Sequence, residues 1–346
     1  MAILIREADL AADRTLLIRE IRAHLNPYTD DRRFDWLYLQ NPYGQARTWI
    51  ASDQDSGDIV GTCAALPRLF YIHGQERKGC VFADFWIHSN YRSLGPALQL
   101  QRACMSIVGN ESCIIAYDFP RLSMSAVYKR LGVNVYDSLV RYTKIVRVNK
   151  ILSSRIGLPV VVQPLSLVAN LGLDFLDRWW SNPKQCDIFL ERDSCGEEYS
   201  ELARCEGSTY ELCVARTADY LNWRYCRHFR QRHEIMAARQ GGKLVAYLVF
   251  IDHGDDAQVV DFLGGHDEDV ASALVSGLVA ELRSRGILSI NVSLLTTDTR
   301  KSSFYRMGFR PRESSPLVIF DPTRIFNATA GRSPARAIFM YGDEAD

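Results

Sequence analysis

The period at which apolar residues recur changes several times along the chain, and each change marks an element. Ile3 to Arg6 reads as a short strand, and Leu10, Leu17, Ile18 and Ile21 form a helical stripe through residues 9–25. An aromatic-rich second helix is expected over Arg33 to Gly44, closing at Asn41-Pro42. Trp49 to Ser52 and Ile59 to Leu66 read as two strands around Asp55-Ser56-Gly57-Asp58, and Leu69 to Ile72 and Lys78 to Ile87 as the next pair around His73-Gly74. At Gly95 the period shifts from two to nearly four: Leu100, Ala103, Cys104, Ile107 and Val108 make the stripe of a helix lying on a sheet. Pro96 suits the first position of that helix, where a missing N–H does least harm. A strand at Cys113 to Tyr117, a helix at Ser123 to Leu131 and a closing strand at Val140 to Val148 complete the order β-α-α-β-β-β-α-β-α-β.

Residues 149–184 break this pattern, with Pro159, Pro164 and Pro183 spaced around an apolar segment that ends in Trp179-Trp180. They read as a linker, either packed over the seam between two domains or forming a helix for a membrane surface or partner. From Cys186 the earlier pattern returns in weaker form. Tyr220 to Tyr225 resembles Phe34 to Tyr38, with Trp223 placed 187 positions after Trp36. Ile235 to Arg239 and Leu244 to Ile251 resemble the first hairpin, and Asp261 follows Asp84 by 177 positions. Phe304 to Phe309 resembles Tyr128 to Val133, with Gly308 placed 176 positions after Gly132. Four matches in one order predict a tandem duplication with domains at 1–148 and 185–346.

Composition narrows the partners. The 346 residues suit two domains, and 41 basic side chains balance 41 acidic ones, which argues against nucleic acid as the main partner. Nine scattered cysteines without metal spacing predict reduced thiols and no metal site. The early charges of MAILIREADLAADR and the lack of a long apolar run predict a cytoplasmic protein without a membrane span.

The candidate chemistry gathers where the strand Val81 to Ile87 turns into the helix that starts near Gly95. Arg92-x-x-Gly95-x-Ala97 puts a cation, a glycine and a helix N-terminus around one hollow, an arrangement that suits phosphate. It resembles the loop with which GNAT-fold N-acyltransferases hold the pyrophosphate of acyl-coenzyme A, and the element order extends the likeness from six residues to about 140. The resemblance implies an α/β fold with a mixed sheet, two tandem GNAT-like domains and acetyl- or another acyl-coenzyme A as donor. It further implies direct transfer to a small amine, for which an amino sugar is a guess by analogy alone.

On that resemblance the donor would be held by Arg92, Ser93, Leu94, Gly95 and Ala97, and its acyl carbonyl by the backbone near Trp86 and Ile87. Pro96 removes one N–H from this cradle. Val127 to Gly132 resembles the family's Y-x-x-x-G-F signature, which makes Tyr128 the candidate donor to the departing thiolate. Asp84, amid Phe82, Phe85 and Trp86, is the first candidate base, and His88 the second, closer to the turn. The stretch Phe34 to Tyr43 is a candidate acceptor lining. Where the first copy has Asn90-Tyr91-Arg92, the second has Asp267-Glu268-Asp269, which suits a helix dipole and repels pyrophosphate. Two other readings keep the fold: a Fem-like transferase using aminoacyl-tRNA or an acyl carrier protein, and a binding protein without catalysis.

Overall fold

The structure is a computed structural model that describes residues 2–91, 94–148, 165–172, 175, 186–191, 194–265, 267–326 and 337–345. The first half runs β1 (Ile3–Glu7), α1 (Arg14–His24), α2 (Asp31–Phe34), β2 (Arg47–Asp53), β3 (Ile59–Ile72), β4 (Gln75–Ile87), α3 (Leu94–Met105), β5 (Ile115–Asp118), α4 (Leu122–Arg130) and β6 (Val135–Ile145). The second half repeats the plan with β7 (Asp187–Glu191), β9 (Glu234–Gln240), β10 (Lys243–Asp252), β11 (Asp256–Gly264), β12 (Ser289–Leu295) and β13 (Arg310–Phe320). It adds the short strands β8 (Leu212–Val214) and β14 (Ala337–Ile338).

All these strands belong to one sheet; twelve follow the order β1-β2-β3-β4-β5-β13-β6-β12-β11-β10-β9-β7, and β8, paired with β3 and β14, lies off this path. Read from either edge, the order visits equivalent strands of the two halves, so a pseudo-twofold axis passes between β13 and β6. The closing strands are exchanged across it. β13 pairs antiparallel with β5 of the first half, and β6 pairs antiparallel with β12 of the second. Each half therefore fills its hydrogen-bonding edge with a strand of the other, which leaves no open edge at the centre.

The axis is also marked by a matched pair of tryptophans. In both halves a short α-helix passes directly into a π-helical turn, Asp35–Leu39 in the first and Asn222–Cys226 in the second. The widened turn carries Trp36 and Trp223, whose rings stack with centroids 5.0 Å apart. The indole N–H of Trp36 donates to the carbonyl of Trp223, and that of Trp223 to the carbonyl of Trp36, both at 2.9 Å. This reciprocity is what a twofold contact requires.

Two sequence expectations differ from the structure. The second helix is shorter than Arg33 to Gly44, because the π-helical turn ends it at Leu39 and Asn41 turns the chain instead, its side chain bonding Pro67 O and Tyr43 N. Ile59 to Leu66 and Leu69 to Ile72 are one strand, β3, paired with β4 from Gly61↔Ile87 to Ile72↔Gln75. Most of the predicted linker lies outside the described residues; 165–172 is helical. Among the described residues no helix is long and apolar enough to cross a membrane.

Candidate active site

The site is made by a strand pair that parts. β4 and β5 are parallel neighbours at Gly79↔Ile115, Cys80↔Ala116 and Val81↔Tyr117, and there the ladder stops. Beyond it Phe82 to Ile87 forms one wall of a cavity of about 830 Å³, and Asp118 to Arg121 forms the other. Ala97 and Gln101 of α3 close one side, and His24 at the end of α1 with the following residues 25–28 closes another.

Within this opening β4 carries a bulge. Its register against β3 shifts between Thr62↔Trp86 and Ala64↔Ala83, so Asp84 and Phe85 together oppose Cys63. Asp84 takes the left-handed backbone conformation there, with φ of 46°, which an aspartate tolerates better than most residues. Its carboxylate is 3.3 Å from both terminal nitrogens of Arg33 and accepts the hydroxyl proton of Tyr38. Burial and then the Asp84 charge push the Tyr38 phenol far above its usual range, so it remains a donor. Asp84 thus lines the cavity while tied to the second helix, and the bond pair pins the bulge.

Asp118, at the end of β5, is the titratable group that the sequence did not single out. Burial pushes its carboxyl up to about 7, although the Tyr128 hydroxyl, 2.7 Å away, and the Phe119 backbone favour the charged form. Tyr128 itself is fully buried behind the cavity wall. It donates to Asp118 and accepts from the Gln101 amide at 3.1 Å, and burial holds its proton firmly. The order of contact is therefore cavity, Asp118, Tyr128, with Gln101 touching both the cavity and the phenol. An aspartate closing the apolar strand read at Cys113 to Tyr117 was the available sequence signal.

The other expected site residues are placed as follows. Trp86 and Ile87 line the cavity, and Trp86 stacks on His24 at 3.9 Å. Among the described residues the buried indole N–H of Trp86 has no hydrogen-bond partner, so it is available to a polar group in the cavity. His88 is outside the lining, where its ring accepts the Asn90 N–H at 3.3 Å in the turn Ser89–Tyr91. Gly95 faces open space, and no acidic residue stands in the first turn of α3. Arg92 and Ser93 lie outside the described residues, as does the Leu94 side chain. The stretch Phe34 to Tyr43 does not reach the cavity: Phe34, Trp36, Leu37 and Tyr38 are core residues, because the π-helical turn points them at the twofold axis and the sheet.

The equivalent opening of the second half is filled. β11 and β12 pair from Asp256↔Ser289 to Val259↔Val292 and then part, but the turn Tyr341–Asp343 packs between them. Asp343 is buried. Its carboxylate meets Arg216 at 2.7 Å, and Arg216 meets Asp261, the counterpart of Asp84, also at 2.7 Å. Gly342 is required there, since a Cβ would strike the Tyr225 hydroxyl and lie 2.9 Å from Val260 O. At the start of the following helix, Glu268–Ser284, the Asp267 side chain accepts from Asp269 N at 2.9 Å and takes the place an anion would occupy.

No protein-family model and no curated protein sequence matches the chain. Solved structures do. A GCN5-related N-acetyltransferase from Anabaena variabilis superposes with a TM-score of 0.67 at 12% identity, over 92% of this chain and 73% of that one. A probable N-acyltransferase from Enterococcus faecalis gives 0.64 at 11%, over 94% and 74%. The N-myristoyltransferase of Saccharomyces cerevisiae with bound myristoyl-CoA gives 0.56 at 12%, over 93% and 79%. With a mixed sheet that parts at β4 and β5 and flanking helices, this chain has the GNAT fold of the GCN5-related N-acetyltransferases on which it superposes.

Proposed function

We propose that the protein transfers an acyl group from acyl-coenzyme A to a small amine in the cavity between β4 and β5. The observation that carries this reading is the parted strand pair with Asp118 on its wall. A carboxylate that titrates at about 7 is half ionised at neutral pH, the condition in which it best takes a proton from an attacking amine. The amine nitrogen attacks the thioester carbonyl, its proton passes to Asp118, and the C–S bond breaks to release coenzyme A.

The residues of the first half suit such a donor. The start of α3 offers backbone N–H groups without a competing carboxylate, Gly95 leaves room for a pyrophosphate, and Arg92 supplies the charge. Trp86 brings an unused N–H to the region of the acyl group. Tyr128, bonded to Asp118 from behind the wall, orients that carboxyl, and Asp118 passes the proton it took from the amine to the departing thiolate. Asp84 serves the reaction by holding the bulge, since Arg33 and Tyr38 already occupy its oxygens.

The test is a calorimetric titration with acetyl- and myristoyl-coenzyme A, repeated on Arg92→Glu. Saturable binding that the charge reversal removes supports the donor site, and preference for one thioester sets the acyl length. Failure of both to bind the unsubstituted protein overturns the reading.

A further inference from the structure

Beside the cavity lies a second cleft of about 560 Å³ with a different character. The two share Pro27 and Tyr28, so the second cleft opens next to the end of the cavity formed by the segment after α1. Three arginines line it: Arg22 and Arg32 from the first half and Arg230 from the second. In a chain whose 41 basic and 41 acidic residues cancel, such a group is a local surplus.

The partners of these arginines are instructive. Arg22 donates through Nε to Thr29 O at 2.6 Å, and Arg32 through Nη2 to Phe229 O at 2.8 Å. The Arg230 guanidinium lies over the Tyr28 ring, 3.5 Å from its centroid. Each contact fixes a side chain with a carbonyl or a ring, and none neutralises it: among the described residues the three make no ion pair. Asp30, the one carboxylate in the lining, is engaged at Arg33 N as a helix cap, 2.9 Å away. Guanidinium groups held in place with unused N–H donors are matched by the oxygens of a phosphate or carboxylate.

We propose that the amine acceptor carries an anionic group, a phosphate or a carboxylate, which Arg22, Arg32 and Arg230 bind while the amine reaches into the cavity past Tyr28. This inference rests on the acyltransferase reading above. It also gives the second half a part in catalysis after its own opening was filled, because that half contributes Arg230 and the Phe229 carbonyl that holds Arg32.

The experiment titrates the protein, saturated with coenzyme A so that the donor loop is occupied, with phosphoethanolamine, β-alanine and ethanolamine. Phosphoethanolamine or β-alanine is expected to bind at least ~10-fold more tightly than ethanolamine, and the tighter of the two identifies the anion. Arg22→Ala/Arg32→Ala/Arg230→Ala is expected to abolish the difference with coenzyme A affinity unchanged. The single reversal Arg230→Glu, which loses only a ring contact in the fold, is expected to weaken the anionic probe by ~10-fold or more. Equal binding of all three probes, or a preference that survives the triple substitution, overturns the proposal. If coenzyme A itself fails to bind, the acyltransferase reading falls separately, and the same titrations on the free protein still decide whether the cleft takes an anion.

Discussion

The openings between β4 and β5 and between β11 and β12 are equivalent by the pseudo-twofold, yet one encloses a cavity of about 830 Å³ and the other is packed with the chain's own residues. The difference starts from few side chains. In the first, Asp84 sits in a bulge with Arg33 and Tyr38, and its neighbour across the gap is Asp118. In the second, Asp261 keeps a tyrosine, Tyr225, but its cation is Arg216, and Arg216 has a further bond to spare for Asp343. That second bond anchors the turn Tyr341–Asp343 where a ligand would lie. The same contrast holds at the helix starts: Asp267 occupies the backbone N–H groups of one, and the other has no acidic residue in its first turn. A duplicated fold keeps two openings only while nothing in the chain fits either.

The comparison can be broken most strongly at Asp343. Asp343→Ala leaves the buried Arg216 with a single carboxylate, and a loss of ~3–5 kcal/mol is expected in denaturant unfolding. Retention of full stability would mean that the turn merely rests on the second opening. Next comes the open site itself. Asp118→Asn is expected to lower kcat/KM by ~100-fold or more and to remove an ionisation at about 7 from its pH profile. Activity of the unsubstituted protein should rise as pH increases through that value, as the carboxyl loses its proton.

The stability effect of the same substitution has the opposite sense. Because the folded protein holds the Asp118 proton more tightly than the unfolded chain, it loses stability as pH rises from the ordinary carboxylate range towards about 7. Asp118→Asn should therefore raise Tm above neutral pH and change it little in mild acid, a contrast that thermal scans at two pH values would expose. An identical Tm shift at both would show that Asp118 is not held protonated by burial.

Tyr128→Phe is expected to be milder, with kcat reduced by ~10-fold and the pH profile displaced towards alkali, since the bond that favours the charged Asp118 is gone. A protein that binds acyl-coenzyme A without catalysis would lose nothing measurable here. The smallest effect belongs to the filled half: Asp267→Ala should cost ~1 kcal/mol through the lost helix cap and leave acetyl-coenzyme A affinity unchanged. A change in that affinity would mean that the second helix start takes part in donor binding.

Much of this was legible in the order of residues, because it depends on local rules. The period changes located nearly every strand and helix of the first half, and the spacing of Trp36 and Trp223 announced a repeat that the structure completes as a reciprocal contact. The acidic run at Asp267 foretold a capped helix start, since capping is a matter of neighbours in sequence. What only the tertiary structure decided involves groups far apart in the chain. Exchange of β6 and β13 pairs strands from opposite halves of the chain, which no local pattern specifies. Asp118 titrates near neutrality because strands that part leave it buried beside Tyr128, a consequence of solvent exclusion that no spacing encodes. Asp343, in an acidic stretch near the end of the chain, is drawn inside because Arg216, 127 positions earlier, offers a buried positive charge that must be matched.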